Sequence, residues 1–358
     1  MKNAIMKKNT IESNLNRRQF LAGGIIASAG LSPLVSALAA GADSAESAAA
    51  PPQVAPNSKG TIPTGKIGKV TLSRLISGGN LLSGWCHQRD LLFVRNIAAA
   101  YLTERKQHDT LQMLEEAGVN TIVIDLMQQD IVAKYKKERG GKLQTIVSVR
   151  EDWGNWSTPR LDRLMTETTK IIDKGADLLY LHGSYSDQVV KGAVEQKKTQ
   201  NLDVLGSAFD LIRGQGFSAG LGAHALEVLK EVKGHGLKPD FYVKTFHHDQ
   251  YWSAHPKDRR KPFSVDGPSS LDHDEFHDNI FDLHPEDTAE FMLGEKVPWI
   301  AFKVLAAGAI KPSSGFKYAF ENGADFIAVG MFDFEVNENV RTLRGILEGL
   351  QRKRAWAA

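Results

Sequence analysis

Ionisable side chains recur at the ends of short β-branched runs along most of this chain. Asp125 falls near the end of Thr121–Leu126, Arg150 ends Leu143–Arg150, His182 ends Asp177–His182 and His224 ends Phe217–His224. Lys244 and His248 belong to Phe241–His248, and Lys303 to Trp299–Ala306. The imidazoles of His182, His224 and His248 with the Asp125 carboxylate are a donor set suited to zinc, manganese or iron. Three protein ligands would leave a position for water or a substrate oxygen. Without a metal the same groups suit acid–base chemistry, with Asp125 or His248 as base, His182 and His224 as proton donors, and Arg150 and Lys303 stabilising negative charge. A third chemistry is a Schiff base: a Lys244 amine facing a closed pocket, with Lys303 nearby, would lose basicity and attack a carbonyl.

The connecting segments add aromatic and small residues. Asn80 and Trp85 follow the first run, Trp153 follows the third, and Tyr251 and Trp252 open a long stretch, Asp249–His284, that also holds Phe263, Phe276 and Phe281. A loop of that length in a compact domain is usually functional, and it reads as a lid whose aromatics stack on a small polar, sugar-derived substrate and exclude water. Its Asp272–Asp278 tract reads as a solvated polar turn, with a further metal ligand as the alternative. Gly308 and Gly330 would leave backbone N–H groups open to an anion, although close backbone packing explains them equally well.

Positioning these groups takes eight strands, read at Leu72–Gly79, Thr121–Leu126, Leu143–Arg150, Asp177–His182, Phe217–His224, Phe241–His248, Trp299–Ala306 and Phe326–Met331. Helical periodicity fills the gaps: Thr103–Ala117 and Thr158–Lys174 carry apolar residues at three- and four-residue spacing and stop at Gly118 and Gly175, where glycine takes a left-handed turn. A last helix starts at Val336. Strands alternating with helices eight times make a (β/α)8 TIM barrel, an α/β fold; no Gly-x-Gly-x-x-Gly follows the first strand to favour a doubly wound sheet. In a barrel strand alternate residues face the helices or the axis, so parity becomes a prediction. Ile122, Ile124, Val147, Val149, Leu179, Leu181, Ala219, Leu221 and Ala223 are expected to face the helices, leaving Asp125, Arg150, Tyr180, His182 and His224 on the inner rows. In the sixth and seventh strands Phe241, Val243, Ile300, Phe302 and Val304 are read as outward, with Lys244, His248 and Lys303 inward.

Several segments carry family resemblances. Leu72-Ser73-Arg74-Leu75 with Gly78-Gly79-Asn80, and Asp177-Leu178-Leu179-Tyr180-Leu181-His182, resemble the first and fourth strands of aldo/keto reductases. That likeness implies NADP as cofactor, a catalytic role for His182 and a match of Asp125 to the family's second-strand Asp. Arg150 stands where those enzymes have a lysine, and no tyrosine lies five residues after Asp125. Phe241-Tyr242-Val243-Lys244-Thr245 is similar to the sixth strand of deoxyribose-phosphate aldolases, which implies Lys244 as the Schiff-base lysine and Lys303 as its companion. Lys303–Ile310 and Asn322–Met331 resemble the closing strands of aldolase-type barrels, whose phosphate-binding members seat an anion there.

The N-terminus is of another kind. Asn16-Arg17-Arg18-Gln19-Phe20-Leu21 ahead of the small, apolar stretch Ala22–Leu38 resembles a twin-arginine export signal over residues 1–39. That implies a translocase partner, a periplasmic or other exported destination, and no stable membrane span after cleavage. Residues 40–60, rich in Ala, Ser, Pro and Gly, read as a flexible linker, and 61–358 as the barrel. Five of the 44 basic and one of the 42 acidic residues precede Ala40, so the formal charge of +2 over 358 residues becomes about −2 in the remainder. Such a balance offers no basic surface for nucleic acid, 42% hydrophobic residues exclude a disordered chain, and a single cysteine, Cys86, excludes an internal disulfide framework. The sum is an exported barrel enzyme, a lyase, epimerase or hydrolase, with an aldolase, a divergent reductase and a non-catalytic periplasmic binding protein as alternatives. If the leader is read as its motif implies, replacing Arg17 and Arg18 together by lysine will leave the full-length chain in the cytoplasm; immunoblots of periplasmic and cytoplasmic fractions check this.

Overall fold

A computed structural model describes residues 52–84, 86, 91–152, 154–263 and 282–358. The export signal at 1–39, most of the linker, Trp85, Trp153 and the part of the long loop that holds Phe276 and Phe281 lie outside the described residues. A hairpin comes first, β1 (Thr64–Ile67) and β2 (Val70–Ser73), and β3 (Leu75–Gly78) follows after one residue. Next come α1 (Leu92–Tyr101), α2 (Glu104–Glu116), β4 (Thr121–Ile124), α3 (Gln129–Arg139), β5 (Gln144–Val149), α4 (Leu161–Lys174) and β6 (Leu178–Leu181). After them stand α5 (Gly183–Glu195), α6 (Asp203–Gly214), β7 (Ala219–Ala223), α7 (Leu226–Gly234) and β8 (Phe241–Thr245). The chain closes with α8 (Pro285–Leu293), β9 (Trp299–Phe302), α9 (Pro312–Glu321), β10 (Phe326–Val329) and α10 (Asp333–Glu348). Strands β3 to β10 form a closed parallel barrel in sequence order, β10 pairing back onto β3. All eight strands read from the sequence are there, each somewhat shorter, and Gly118 and Gly175 end their helices at φ of 97° and 91°.

Two apolar layers hold the barrel. Between sheet and helices lie Ile122, Val147, Leu179, Leu221 and their helix partners. Along the axis lie Ile76, Ile146, Tyr180, Phe241, Ile300 and Phe326, continued at the N-terminal end by Ile67, Val70 and Leu72 of the hairpin. Leu72 and Ser73 therefore belong to the plug and not to the first barrel strand. The axis is crowded enough that β7 lines it with glycine: a Cβ on Gly220 would come within 2.7 Å of the Tyr180 Cβ and closer still to the Phe241 ring.

Here the expected parity of the sixth and seventh strands is overturned. Phe241, Val243 and Ile300 point to the axis, and Tyr242, Trp299 and Ala301 face the helices. Lys244 sits opposite Ala223 and Ala301 in the register, both in the outer layer, so it too lies behind the sheet. The physical reason is that parallel strands bury both faces; Phe, Tyr, Val, Trp and Ile occur in both rows and the alternation carries no contrast.

The linker differs from expectation as well. From Val54 onward it is pinned to helix ends: the N–H of Val54 donates to Arg139 O at 2.9 Å, that of Asn57 to Glu115 O at 2.9 Å, and that of Lys59 to Glu116 O at 2.8 Å. The last carbonyls of α2 and α3 have no intrahelical partner, and this segment supplies one. The C-terminus is held by charge. Fully buried Asp325 accepts the Arg354 guanidinium at 2.7 Å and the N–H groups of Ala357 and Trp299 at 2.8 and 3.0 Å. The Arg74 and Arg352 guanidinium carbons lie 3.8 and 3.5 Å from the Trp356 ring centre. Removing one partner from such a buried network leaves uncompensated charge, so Asp325→Ala should lower the unfolding free energy by about 3–5 kcal/mol, which urea denaturation measures.

Candidate functional site

A cavity of about 770 Å³ opens at the C-terminal ends of the barrel strands. Of the polar residues expected there, Asn80, His182, His224 and Lys303 line it, together with Trp252, Gly308 and Gly330. His182 and His224 follow β6 and β7 directly, on the inner row that alternation assigns them. Lys303 reaches the cavity by another route. The residue before it, Phe302, already faces the cavity, so continued extension would send Lys303 outward. Instead β9 ends and Lys303 takes a left-handed φ of 57°. Ala306 and Ala307 follow at 43° and 54°, a run of left-handed non-glycine residues costing roughly 1–3 kcal/mol each.

The other expected site residues lie elsewhere. Asp125 accepts the N–H of Met127 at 2.9 Å and closes a local turn. Arg150 stacks over Trp156 at 5.7 Å. His248 stands outside the cavity, its Nε2 paired with Ser314 Oγ at 2.9 Å and its Nδ1 accepting the Gln250 N–H at 3.2 Å. Tyr251 packs edge-on against His247. The four expected metal ligands thus do not converge, because His248 has left the ring of strand ends and Asp125 has turned back on its own loop. Among the described residues no group of three metal-binding side chains comes together.

Lys244 is fully buried behind β8, donating to Thr245 O at 2.7 Å and lying 3.4 Å from the Asp282 carboxylate. Burial pulls its pKa down, and Asp282 and Asp187 push it back up. It cannot meet a carbonyl in the cavity from there. Asp282 also donates its N–H to His247 Nε2 at 3.1 Å and accepts the Thr288 hydroxyl at 3.0 Å. The buried lysine therefore anchors the returning end of the long loop.

Asp187 on α5 belongs to this candidate site and is absent from the residues expected from the sequence. Its carboxylate lies 2.6 Å from His224 Nδ1 and accepts the N–H groups of His224 and Ala225 at 3.1 and 3.2 Å. Burial pushes this carboxyl up to about 7, opposed by those N–H groups and by Lys244 and Lys303. His224 is held well below its ordinary value by burial first, then by Lys303 and Lys244. With backbone donors already on the carboxylate, the arrangement at and above neutral pH is a neutral imidazole donating from Nδ1, which leaves Nε2 as its basic atom. Gly183 permits the pairing: a Cβ there would fall 2.9 Å from His224 Cε1. The available signal was helical spacing, since Gly183, Asp187 and Val190 share one inward face of α5.

His182 completes the set. Burial, then Arg150, His224 and Lys303, push its pKa down to about 3, and its Nδ1 is buried without a hydrogen-bond partner. Tyr180, two residues earlier on the same inner row, lines the cavity floor, its phenol held far above its ordinary value by burial and then Asp125. The helix terminus that an anion would use is already occupied: Glu335 accepts the Phe332 N–H at 2.9 Å at the start of α10, and Asp333 adds a second carboxylate in that turn. Asp333 is paired with Lys106 at 2.9 Å, so it is the Glu335 carboxylate that a substrate or nicotinamide phosphate would meet at this terminus.

No family model and no curated protein matches the chain. Solved structures that it resembles include a Pseudomonas aeruginosa protein provisionally assigned as an aldo-keto reductase, with 14% identity and a TM-score of 0.49 over 80% of this chain and 94% of that one. Others are an aldo-keto reductase from a Medee basin deep-sea metagenome library (11%, 0.46, 82% and 97%) and the phospho-2-dehydro-3-deoxyheptonate aldolase of Thermotoga maritima (10%, 0.42, 84% and 79%).

Neutral buried imidazoles make stability depend on pH. His182 and His247 sit near 3 when folded against an ordinary 6.5, and His224 is lowered too, so the stability present above pH 6.5 is lost as pH falls toward 3. Asp187, Asp282 and Glu115, all raised by burial, act in the opposite sense, favouring the folded state as pH falls toward the ordinary carboxylate range, from about 7 for Asp187. With His108 also lowered by burial, four imidazoles oppose three carboxyls, so stability should fall between pH 6.5 and pH 4, and His247→Asn should flatten that slope; urea melts across the range check both.

Proposed function

We propose that the chain is an enzyme performing proton transfer next to a carbonyl group, as an isomerase, epimerase or lyase. The observation that carries this reading is the His224–Asp187 pair at 2.6 Å on the wall of a cavity that also holds His182 and Lys303. Removing a proton α to a carbonyl needs a neutral base held in one tautomer, and Asp187 holds His224 in that way. The carbanion that forms delocalises onto the carbonyl oxygen. The Lys303 ammonium supplies a positive charge for that oxygen, and neutral His182 a hydrogen bond. His224 then returns the proton to the same carbon or to its neighbour; in the lyase form it takes the proton of a β-hydroxyl instead, the C–C bond breaks as that oxygen becomes a new carbonyl, and the same proton goes to the carbanion left behind. The proton, the base and the charge balance within these residues.

In this reading the enzyme works after export, on the strength of the Arg17-Arg18 leader alone. Proton NMR in deuterium oxide tests the chemistry on a panel of hydroxyacetone, glyceraldehyde, pyruvate and α-oxohexanoate. Wild type should exchange the α-protons of at least one of them. His224→Gln should lower the rate by about 10²–10⁴-fold and Asp187→Asn by less, while Lys244→Met, behind the sheet, should lose stability first. No exchange with any member, or an undiminished rate in His224→Gln, sinks the proposal.

A further inference from the structure

Accepting the carbonyl-directed reading above, we infer that the substrate carries an apolar body of several carbons behind its carbonyl head, and that the cavity is built to bind that body. Its polar side chains are the minority of the lining: His182, His224 and Lys303 gather at the strand ends, with Asn80, Tyr180, Ser184 and Glu335 beside them. The walls are different in kind, formed by Leu81, Leu91, Val94, Phe302, Leu305 and Phe332. None of these six is fully buried by the protein itself. Each keeps apolar surface open to the cavity, and a fully hydroxylated ligand laid against that wall would bring polar groups that lose water without finding partners on it. An apolar body covers both surfaces at once, at roughly 25 cal/mol per Å² removed from water.

Size points the same way. About 770 Å³ lies in the upper part of the range of about 300–1,000 Å³ used for drug-sized ligands, well beyond a three-carbon head group. The apolar wall also continues outward. Phe332 stacks in parallel on Phe334 at 5.3 Å, and Tyr101 meets both rings edge-on at 5.8 and 6.0 Å. Phe334 is 67% exposed, and Phe93 and Ile97 of α1 are 59% and 60% exposed. Helix α1 stands between β3 and α2, outside the eight-unit barrel plan, and Leu91 and Val94 at its start line the cavity. An apolar strip thus runs from the inner wall to the rim, where a chain longer than the cavity would emerge. With Glu335 occupying the α10 terminus, the head is a carbonyl or carboxylate directed at Lys303 and the imidazoles, without a phosphate at that terminus.

Isothermal titration calorimetry with straight-chain α-oxo acids from α-oxobutanoate to α-oxodecanoate, and with glucose, tests this on the full-length protein. Affinity should rise about three- to fourfold per added methylene at a stoichiometry of one, with glucose below every member. Leu91→Ser, at a half-exposed position of the rim, should weaken the long acids and leave the short ones unchanged. A Kd that stays within about twofold from the shortest to the longest acid overturns the inference, as does glucose binding as tightly as α-oxodecanoate. Tightening with several molecules bound per chain is surface adsorption and also overturns it. Binding that follows chain length without catalysed exchange removes the proton-transfer reading alone, whereas exchange of the short acids without chain-length dependence removes the apolar body alone.

Discussion

A closed parallel sheet has neither a free edge nor a wet face, and every other feature of this molecule follows from that constraint. The inner row is filled by Ile76, Tyr180, Phe241 and Phe326, and the outer row by aliphatic residues under the helices. A polar side chain within a strand therefore has nowhere to go unless it brings a partner. Lys244 is such a case: it stays behind β8 because Asp282 and the Thr245 carbonyl accept it. His182, His224 and Lys303 instead stand at the first residue beyond a strand, where the wall opens.

That confinement explains how a small site can be well held. His182 and His224 are placed by strands that end one residue earlier, and Asp187 by the first turns of the helix that follows His182. One helix thus supplies the carboxylate for a histidine on the neighbouring strand. Lys303 is placed differently, by a strained backbone that turns it against the parity of its strand. Its charge and that of Lys244 lie on opposite sides of the sheet, and both keep His224 neutral while favouring ionised Asp187. Strain and burial work together here: the left-handed turn carries a cation to imidazoles that burial has already discharged.

The barrel itself was legible because it depends on local signals repeated many times. Strand runs, helical periodicity and glycine stops at Gly118 and Gly175 each recur, and a wrong reading at one does not disturb the rest. The candidate site was legible only in part. Inner-row assignments held for His182 and His224, where leucines and alanines of the outer row alternate with polar or glycine residues. They failed for Lys244, where Tyr242 and Val243 are equally apolar and the period of two has no contrast. Asp125 and His248 were placed at the mouth by position along the chain, but their side chains answer to nearby partners, Met127 N–H and Ser314 Oγ, that a strand pattern does not contain. The aromatic residues fared similarly: Trp252 reaches the cavity, whereas Tyr251 turns onto His247.

By itself the sequence determined the eight-fold alternation of strand and helix, since it rests on residue type and spacing within short windows. The tertiary structure alone decided which ionisable groups share a cavity, because that depends on pairings across long separations: Asp187 with His224, Lys244 with Asp282, Glu335 with the N–H of Phe332. It also decided that the cavity is mostly apolar. That property comes from residues of several strands and an added helix meeting at one mouth, and no single stretch of chain records it.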